Sequence, residues 1–218
     1  MDCCDNTVYD DHFDAKRAEA RLLEYRRNGP RGWTARLIGE LSASDVTGLS
    51  VLDIGAGVGA VHHALLAAGA ASAVDVDASG PYLEAARGEA VRRGLAERVT
   101  YLKGDAVALA AEIGVADLVA LDRVVCCYPD MEALVGLAAA RTRRRLGIVL
   151  PRDVAWARAG ITGANCIGRL GNRSLRTYAH RIDAISAVAA AAGLALVSAH
   201  RGWLWQTLVF ERPAPAGA

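Results

Sequence analysis

The chain has 218 residues, 53% of them hydrophobic and 22% charged, which is enough apolar material for one sizeable core in a domain of α/β size. Its 25 Lys and Arg offset 24 Asp and Glu to a net charge of +1, so no overall field draws it to nucleic acid or an anionic membrane, and those partners are not expected. The opening Met1-Asp2-Cys3-Cys4-Asp5-Asn6 has no basic stretch followed by an apolar one. The longest uncharged run, Ala184 to Ala199, is too short to cross a bilayer, so neither a leader nor a membrane span is expected and a cytoplasmic protein is the reading.

The cysteines fall as two adjacent pairs, Cys3-Cys4 and Cys126-Cys127, plus Cys166, with no C-x-x-C spacing. They read as free thiols of a reducing compartment. His12, His62, His63, His180 and His200 are scattered without H-x-x-x-H spacing, so no metal site is expected.

In chain order, Ala15, Ala18, Leu22 and Tyr25 recur at helical spacing over Asp14 to Arg27, and Asn28-Gly29-Pro30 stops that helix. A second helix over Trp33 to Leu41 completes a helical arm, residues 1–45. Val51 to Ile54 reads as a buried strand, followed by a helix over Gly59 to Ala68. Ala73 to Val76 is a second strand; Ser79 caps the next helix, Pro81 suits its first turn and Gly94 ends it. A third strand, Val99 to Lys103, leads to a helix over Ala106 to Ile113. Leu118 to Leu121 is a fourth strand, Asp130 caps a helix reaching about Arg144, and Gly147 to Leu150 is a fifth strand. Arg141, Arg143, Arg144 and Arg145 are thereby placed at a helix C-terminus, where cations complement the dipole.

Residues 151–177 change character, with Gly160, Gly163, Gly168 and Gly171 breaking the pattern and Arg152, Arg158, Arg169, Arg173 and Arg176 studding it; the segment reads as an insertion over the strand ends. A helix over Ile182 to Ala192 and two strands, Leu194 to Ala199 and Leu204 to Phe210, close the domain. The short loop between those strands requires them to pair antiparallel. The tail, 213–218, reads as disordered. Strands alternating with helices predict a single α/β domain, 1–212, built on a doubly wound, mostly parallel sheet.

The strongest motif is Asp53-Ile54-Gly55-Ala56-Gly57-Val58-Gly59-Ala60, a strand running into a glycine loop that opens a helix. Gly55, Gly57 and Ala60 also satisfy the dinucleotide pattern G-x-G-x-x-[G/A], which alone leaves NAD open. Asp53 argues for a cationic ligand over a pyrophosphate. S-adenosylmethionine carries an ammonium and a sulfonium and has no phosphate, which suits the loop better. Asp77, ending the second strand, can accept two ribose hydroxyls. Asp105 can accept an adenine amino group while the Ala106 amide donates to the ring.

On these residues the chain resembles the class I S-adenosylmethionine-dependent methyltransferases, whose motifs are an acid-x-Gly-x-Gly-x-Gly loop, an acid ending the second strand and an Asp after the third. The resemblance covers about Ser50 to Leu150. It implies a Rossmann-like seven-stranded sheet of order 3-2-1-4-5-7-6 with strand seven antiparallel, and methyl transfer to a small-molecule acceptor, leaving S-adenosylhomocysteine. By the same resemblance Asp122 falls at the methionine end of the cofactor. Cys126 and Cys127 occupy two positions where the family often has His. Among subfamilies the stretch most resembles that of the Mg-protoporphyrin O-methyltransferases, which read Ile-His-Tyr-Pro here; this chain has Cys127 at the His. Cofactor-binding candidates are Asp53, Gly55, Ala56, Gly57, Asp77, Asp105, Ala106 and Asp122. Candidates for contact with the acceptor are Cys127, Tyr128 and His180, and Tyr25 and Trp33 of the arm are candidates to cover the cofactor. An NAD-dependent oxidoreductase and a non-catalytic adenosine-binding protein remain open as alternatives.

Overall fold

Two helices precede the sheet, the first capped by a side chain at its start and stopped by Gly29. The computed structural model of the chain describes residues 13–170 and 176–213. Helix α1, Ala15–Asn28, begins where the Asp14 carboxylate accepts the Arg17 amide at 2.8 Å, and Arg26 and Arg27 complement the dipole in its last turn. Helix α2, Gly32–Leu41, buries Thr34, Leu37 and Leu41.

The remaining elements are β1 (Ser50–Ile54), α3 (Ala60–Ala67), β2 (Ser72–Asp77), α4 (Gly80–Arg92), β3 (Val99–Lys103), β4 (Ala116–Asp122), α5 (Met131–Ala140), β5 (Thr142–Pro151), α6 (Ala155–Leu170), α7 (Ile182–Ala191), β6 (Ala195–Arg201) and β7 (Trp205–Glu211). The strands form one sheet of order β3-β2-β1-β4-β5-β7-β6, as the resemblance implies. β1 pairs parallel with β2 and β4, β2 with β3, and β4 with β5, whereas β7 runs antiparallel to both β5 and β6.

Alternation along the strands divides the core into two faces. Leu52, Ile54, Val119, Leu121, Ile148 and Leu150 pack with α5 and α7, while Val51, Leu118, Ala120 and Val149 pack with α2 and α3. With both faces covered, β1 and β4 are almost continuously buried, which is why they read as unbroken apolar runs. α2 lies close to the sheet because Gly147 has no side chain; a Cβ there would crowd Leu37 and Leu41.

Three local expectations change. Residues 106–113 form successive turns and no helix. The Asp105 carboxylate draws the Val107 and Ala108 amides (2.7 and 3.2 Å), one turn closes as the Leu109 amide reaches the Asp105 carbonyl at 2.9 Å, and the segment ends before a helix can propagate. α5 stops at Ala140, so the arginines after it do not lie in its last turn. Arg143, Arg144 and Arg145 belong to β5, with Arg145 in register with Leu118. Arg144 and Arg145 meet Asp117 and Glu211, each at 3.5 Å. In the 151–177 segment, 155–170 is helical despite Gly160 and Gly163. Ala157 is buried there, and Trp156 stacks on Trp203 with ring centroids 4.7 Å apart.

The sheet ends at β6, where a bulge shifts the register: Leu196 faces Phe210, the next pair is Ser198 with Val209, and Val197 is the extra residue. Of the 213–218 tail, 214–218 lie outside the described residues, as do Cys3, Cys4, His12, Gly171 and Arg173. No helix among the described residues is long and apolar enough to cross a membrane.

Candidate functional site

The carboxyl ends of β1, β2 and β4 and the turn after β3 surround a cleft of about 430 Å³, at the place where ligands bind in open parallel sheets. Its floor is the glycine loop. The Gly55 amide donates to the Val76 carbonyl at 2.7 Å, tying the loop to β2. Gly57 and Gly59 both have positive φ, +58° and +79°, and their surroundings differ. A Cβ on Gly59 would lie 2.6 to 2.7 Å from the rings of His62 and His63, so this glycine serves packing beneath the loop. A Cβ on Gly57 would meet only Tyr82, at 3.5 Å, and Gly57 lines the cleft, so this is where a ligand can approach the backbone.

Asp77, in the cleft wall, accepts the Gly57 amide through Oδ2 and the Ser79 amide through Oδ1, both at 2.9 Å. It therefore ties the loop to the start of α4. Asp105 and Ala106 line the cleft across from it. Besides its two turn amides, the Asp105 carboxylate accepts the Tyr128 hydroxyl, 3.0 and 2.9 Å from its two oxygens. Tyr128 thus reaches the cleft as a brace between the β3 and β4 ends.

Asp122 is held from two sides. Thr34 Oγ1 donates to its Oδ2 at 2.6 Å, and Arg123 donates to Oδ1 at 3.0 Å and to Oδ2 at 3.1 Å. Arg123 also donates to Thr34 at 2.9 Å and adopts φ +61°, which a residue with a side chain rarely accepts. The guanidinium stays ionised: although burial opposes its charge, the Asp122 carboxylate more than compensates and raises its pKa.

Two candidates lie behind the cleft wall. Asp53 is fully buried and absent from the lining. Its Oδ2 accepts the His62 amide at 3.2 Å and stands 3.0 Å from His62 Nδ1, with Asp75 4.0 Å from the other ring nitrogen. Burial, and then the Asp53 and Asp77 charges, push the Asp75 carboxyl well above the usual carboxylate range. Burial is also the main reason the neighbouring His63 falls to about 3, which keeps that ring neutral. His180 is likewise outside the lining: its Nε2 sits 3.1 Å from the Val125 carbonyl and 3.0 Å from that of Tyr128, bracing the turn that carries Cys127 and Tyr128.

Cys127 stands in the wall, and Gly55, Ala56 and Gly57 form its glycine side. The arm supplies the cover, through residues other than those expected. Tyr25 is buried against His63, with ring centroids 6.3 Å apart, and Trp33 packs where Gly202 leaves room. Phe13, Arg21 and Thr34 line the cleft instead, with Phe13 edge-on to Tyr82 at 5.8 Å. Thr34 had no local signal, since its partner is 88 residues away.

Residues 52–149 match the methyltransferase domain family. The ribosomal protein L11 methyltransferase of Edwardsiella ictaluri (strain 93-146) is 33% identical over 117 residues, which are 50% of this chain and 40% of that protein. The chain thus spans about two fifths of the length of the curated relatives it matches. Among solved structures, magnesium protoporphyrin IX methyltransferase from Synechocystis PCC 6803 with bound SAH superposes with a TM-score of 0.72 at 22% identity, covering 96% of this chain and 100% of that one. An O-methyltransferase family protein from Burkholderia thailandensis gives 0.70 at 19% identity, covering 92% and 61%. At these identities the superpositions speak to the fold.

Proposed function

We propose, from the match of residues 52–149 to the methyltransferase domain family, that the chain transfers the methyl group of S-adenosylmethionine to a small-molecule acceptor. The observation that carries this reading is Asp77. It faces the cleft beside the one loop glycine that is open to a ligand, already oriented by the Gly57 and Ser79 amides. Carboxylate oxygens accept from amides and hydroxyls alike, so a carboxylate placed here can reach a ribose. The solved relative with bound SAH lends the ligand class.

In this reading Gly57 lets the ligand lie against the backbone, Gly55 and Ala56 complete that side of the cleft, and Asp77 holds the ribose. Asp105, steadied by Tyr128, accepts from the adenine amino group, and the Ala106 amide donates to the ring. Asp122, fixed by Thr34 and Arg123, marks the end of the cleft where the methionine portion lies. Asp53 acts at one remove, by fixing the first turn of α3 beneath the loop through His62. When bound, S-adenosylmethionine supplies an electrophilic methyl group on a positively charged sulfur. The residues of this chain contribute position and exclusion of water: Phe13, Arg21 and Thr34 of the arm roof the cleft, and holding two reactants together there lowers the barrier without a dedicated acid or base. A roof contributed by the arm suits an acceptor small enough to enter beneath it, which favours a small molecule over a folded protein surface. No residue of the cleft is assigned as a general base in this reading.

Calorimetric titration with S-adenosylhomocysteine and with NAD tests the assignment. The adenosyl ligand should bind and NAD should not; NAD binding the tighter of the two overturns it.

A further inference from the structure

Cys126 and Cys127 take no part in the function proposed above, yet their geometry is specific. They sit in the short 3₁₀ turn Val125–Cys127 after β4, with their sulfurs 3.8 Å apart. The Cys126 thiol is buried and lies 3.3 Å from the Arg123 carbonyl, to which it donates, while Cys127 stands in the cleft wall. We propose that this pair is a dithiol modification site opening on the cleft, which chelates a trivalent arsenical through a single arsenic atom bonded to both sulfurs.

Geometry separates this from a disulfide. Adjacent residues are about 3.8 Å apart at Cα across a trans peptide, whereas ordinary disulfides need at least about 4.4 Å, so direct closure is strained. A one-atom bridge asks for much less. Two sulfur bonds of about 2.3 Å, the length in thiolate–zinc sites, meeting at a roughly tetrahedral angle span about 3.8 Å, which is the separation already present. The narrower angle at arsenic needs only a small further approach, available from side-chain rotation. Among the described residues no group of three or more His, Cys, Asp and Glu could hold a metal ion. The bridging centre must therefore bring its remaining valence with it, as an aryl- or alkylarsenical does.

The two thiols are also unlike in a useful way. The contact with Cys126 holds the Cys127 thiol below its ordinary range, and that same contact, with burial, pushes Cys126 up. Cys127, on the cleft side, is the thiolate that forms the first bond, and Cys126 closes the ring. With phenylarsine oxide two arsenic–sulfur bonds form, the arsenic–oxygen bond breaks, and both thiol protons leave with that oxygen as water; arsenic stays trivalent and no oxidant is required.

The experiment must distinguish this pair from Cys3-Cys4, the other adjacent pair, and from Cys166, which can form one arsenic–sulfur bond alone. The full chain and its Cys3→Ser/Cys4→Ser variant are treated with phenylarsine oxide, washed with excess 2-mercaptoethanol to strip singly bonded arsenic, and weighed intact under native conditions. The double variant should keep one adduct, released by 2,3-dimercaptopropanol. Adding either Cys127→Ser or Cys126→Ala to that background should abolish it, with thermal melting used to show that each protein is folded. Because Cys126 is buried and its variant can fail to fold, Cys127→Ser at the cleft wall decides alone. No adduct on the Cys3→Ser/Cys4→Ser protein, or an adduct that survives Cys127→Ser, overturns the proposal.

Discussion

Replacing Asp77 by Ala separates what this carboxylate does for the loop from what it does for a ligand. In the ligand-free protein it accepts two backbone amides, Gly57 and Ser79, at 2.9 Å each. A hydrogen bond to a charged group contributes about 1.5–3 kcal/mol. Both amides border the cleft and can be rehydrated in the variant, so the combined loss is discounted to about 2 kcal/mol, which at this chain length lowers the melting midpoint by roughly 4–8 °C. Ligand binding loses in addition the two bonds to ribose hydroxyls and the fixed loop, about 1.5–3 kcal/mol, or about one to two orders of magnitude in affinity. Calorimetry with S-adenosylhomocysteine and a thermal melt without ligand read the two effects independently. An affinity within twofold of the parent protein, with the melting midpoint lowered as expected, refutes the ribose contact; an unchanged midpoint refutes the assigned strength of the loop bonds.

Asp75→Asn should flatten the dependence of stability on pH. The folded protein holds the Asp75 proton more tightly than the unfolded chain does, so the group's contribution is fully present below the unfolded value near 4 and is lost as pH rises toward the raised folded value, by about 1.4 kcal/mol per pH unit. Urea unfolding of parent and variant across that range checks it, and parallel curves reject it. Tyr128→Phe removes the hydroxyl that braces Asp105, so affinity for S-adenosylhomocysteine should fall by less than about tenfold; a loss beyond a hundredfold means that the hydroxyl itself touches the ligand. Gly59→Ala forces a positive φ on a residue with a side chain and drives its Cβ into His62 and His63. It should cost about 2 kcal/mol or more in urea unfolding, and a cost under about 0.5 kcal/mol contradicts the packing role given to this glycine.

The sheet was legible because its signals are local. Val51 to Ile54 and Leu118 to Leu121 are buried on both faces and read as apolar runs, and Ser79, Pro81 and Asp130 mark helix starts that the structure reproduces. The misread segments are those where backbone pairing overrides what the side-chain spacing suggests. Arg143 to Arg145 look like the charged end of a helix, yet pairing with β4 extends them into a strand, and after one turn from Asp105 the chain closes i→i+3 turns, Ala110 to Val107 and Glu112 to Leu109, so the helical spacing there builds no helix. The same limit governs the site. The glycine loop and the acids at 77, 105 and 122 follow from position at strand ends, and all four reach the cleft. Asp53 does not, because alternation along β1 turns it to the face that α3 covers, a consequence of period two that the charge argument passed over. Phe13, Arg21 and Thr34 join the cleft only once the arm has docked, and nothing in their neighbours in sequence announces it.

The bulge in β6 bears on how the molecule coexists with its own copies. β6 is the outermost strand beyond β7, and Leu196 and Val197 are both largely exposed on it, 45% and 54%. An outermost strand carrying two neighbouring apolar side chains offers a template on which a strand from a second molecule can add, the first step of edge-to-edge aggregation. The extra residue at Val197 breaks that template. It leaves two residues opposite one, bends the strand and strengthens its twist, so an incoming chain cannot keep register along the whole edge. The bulge guards the apolar rim of the sheet at Leu196 and Val197, and removing Val197 would give the edge a continuous ladder along which copies can stack.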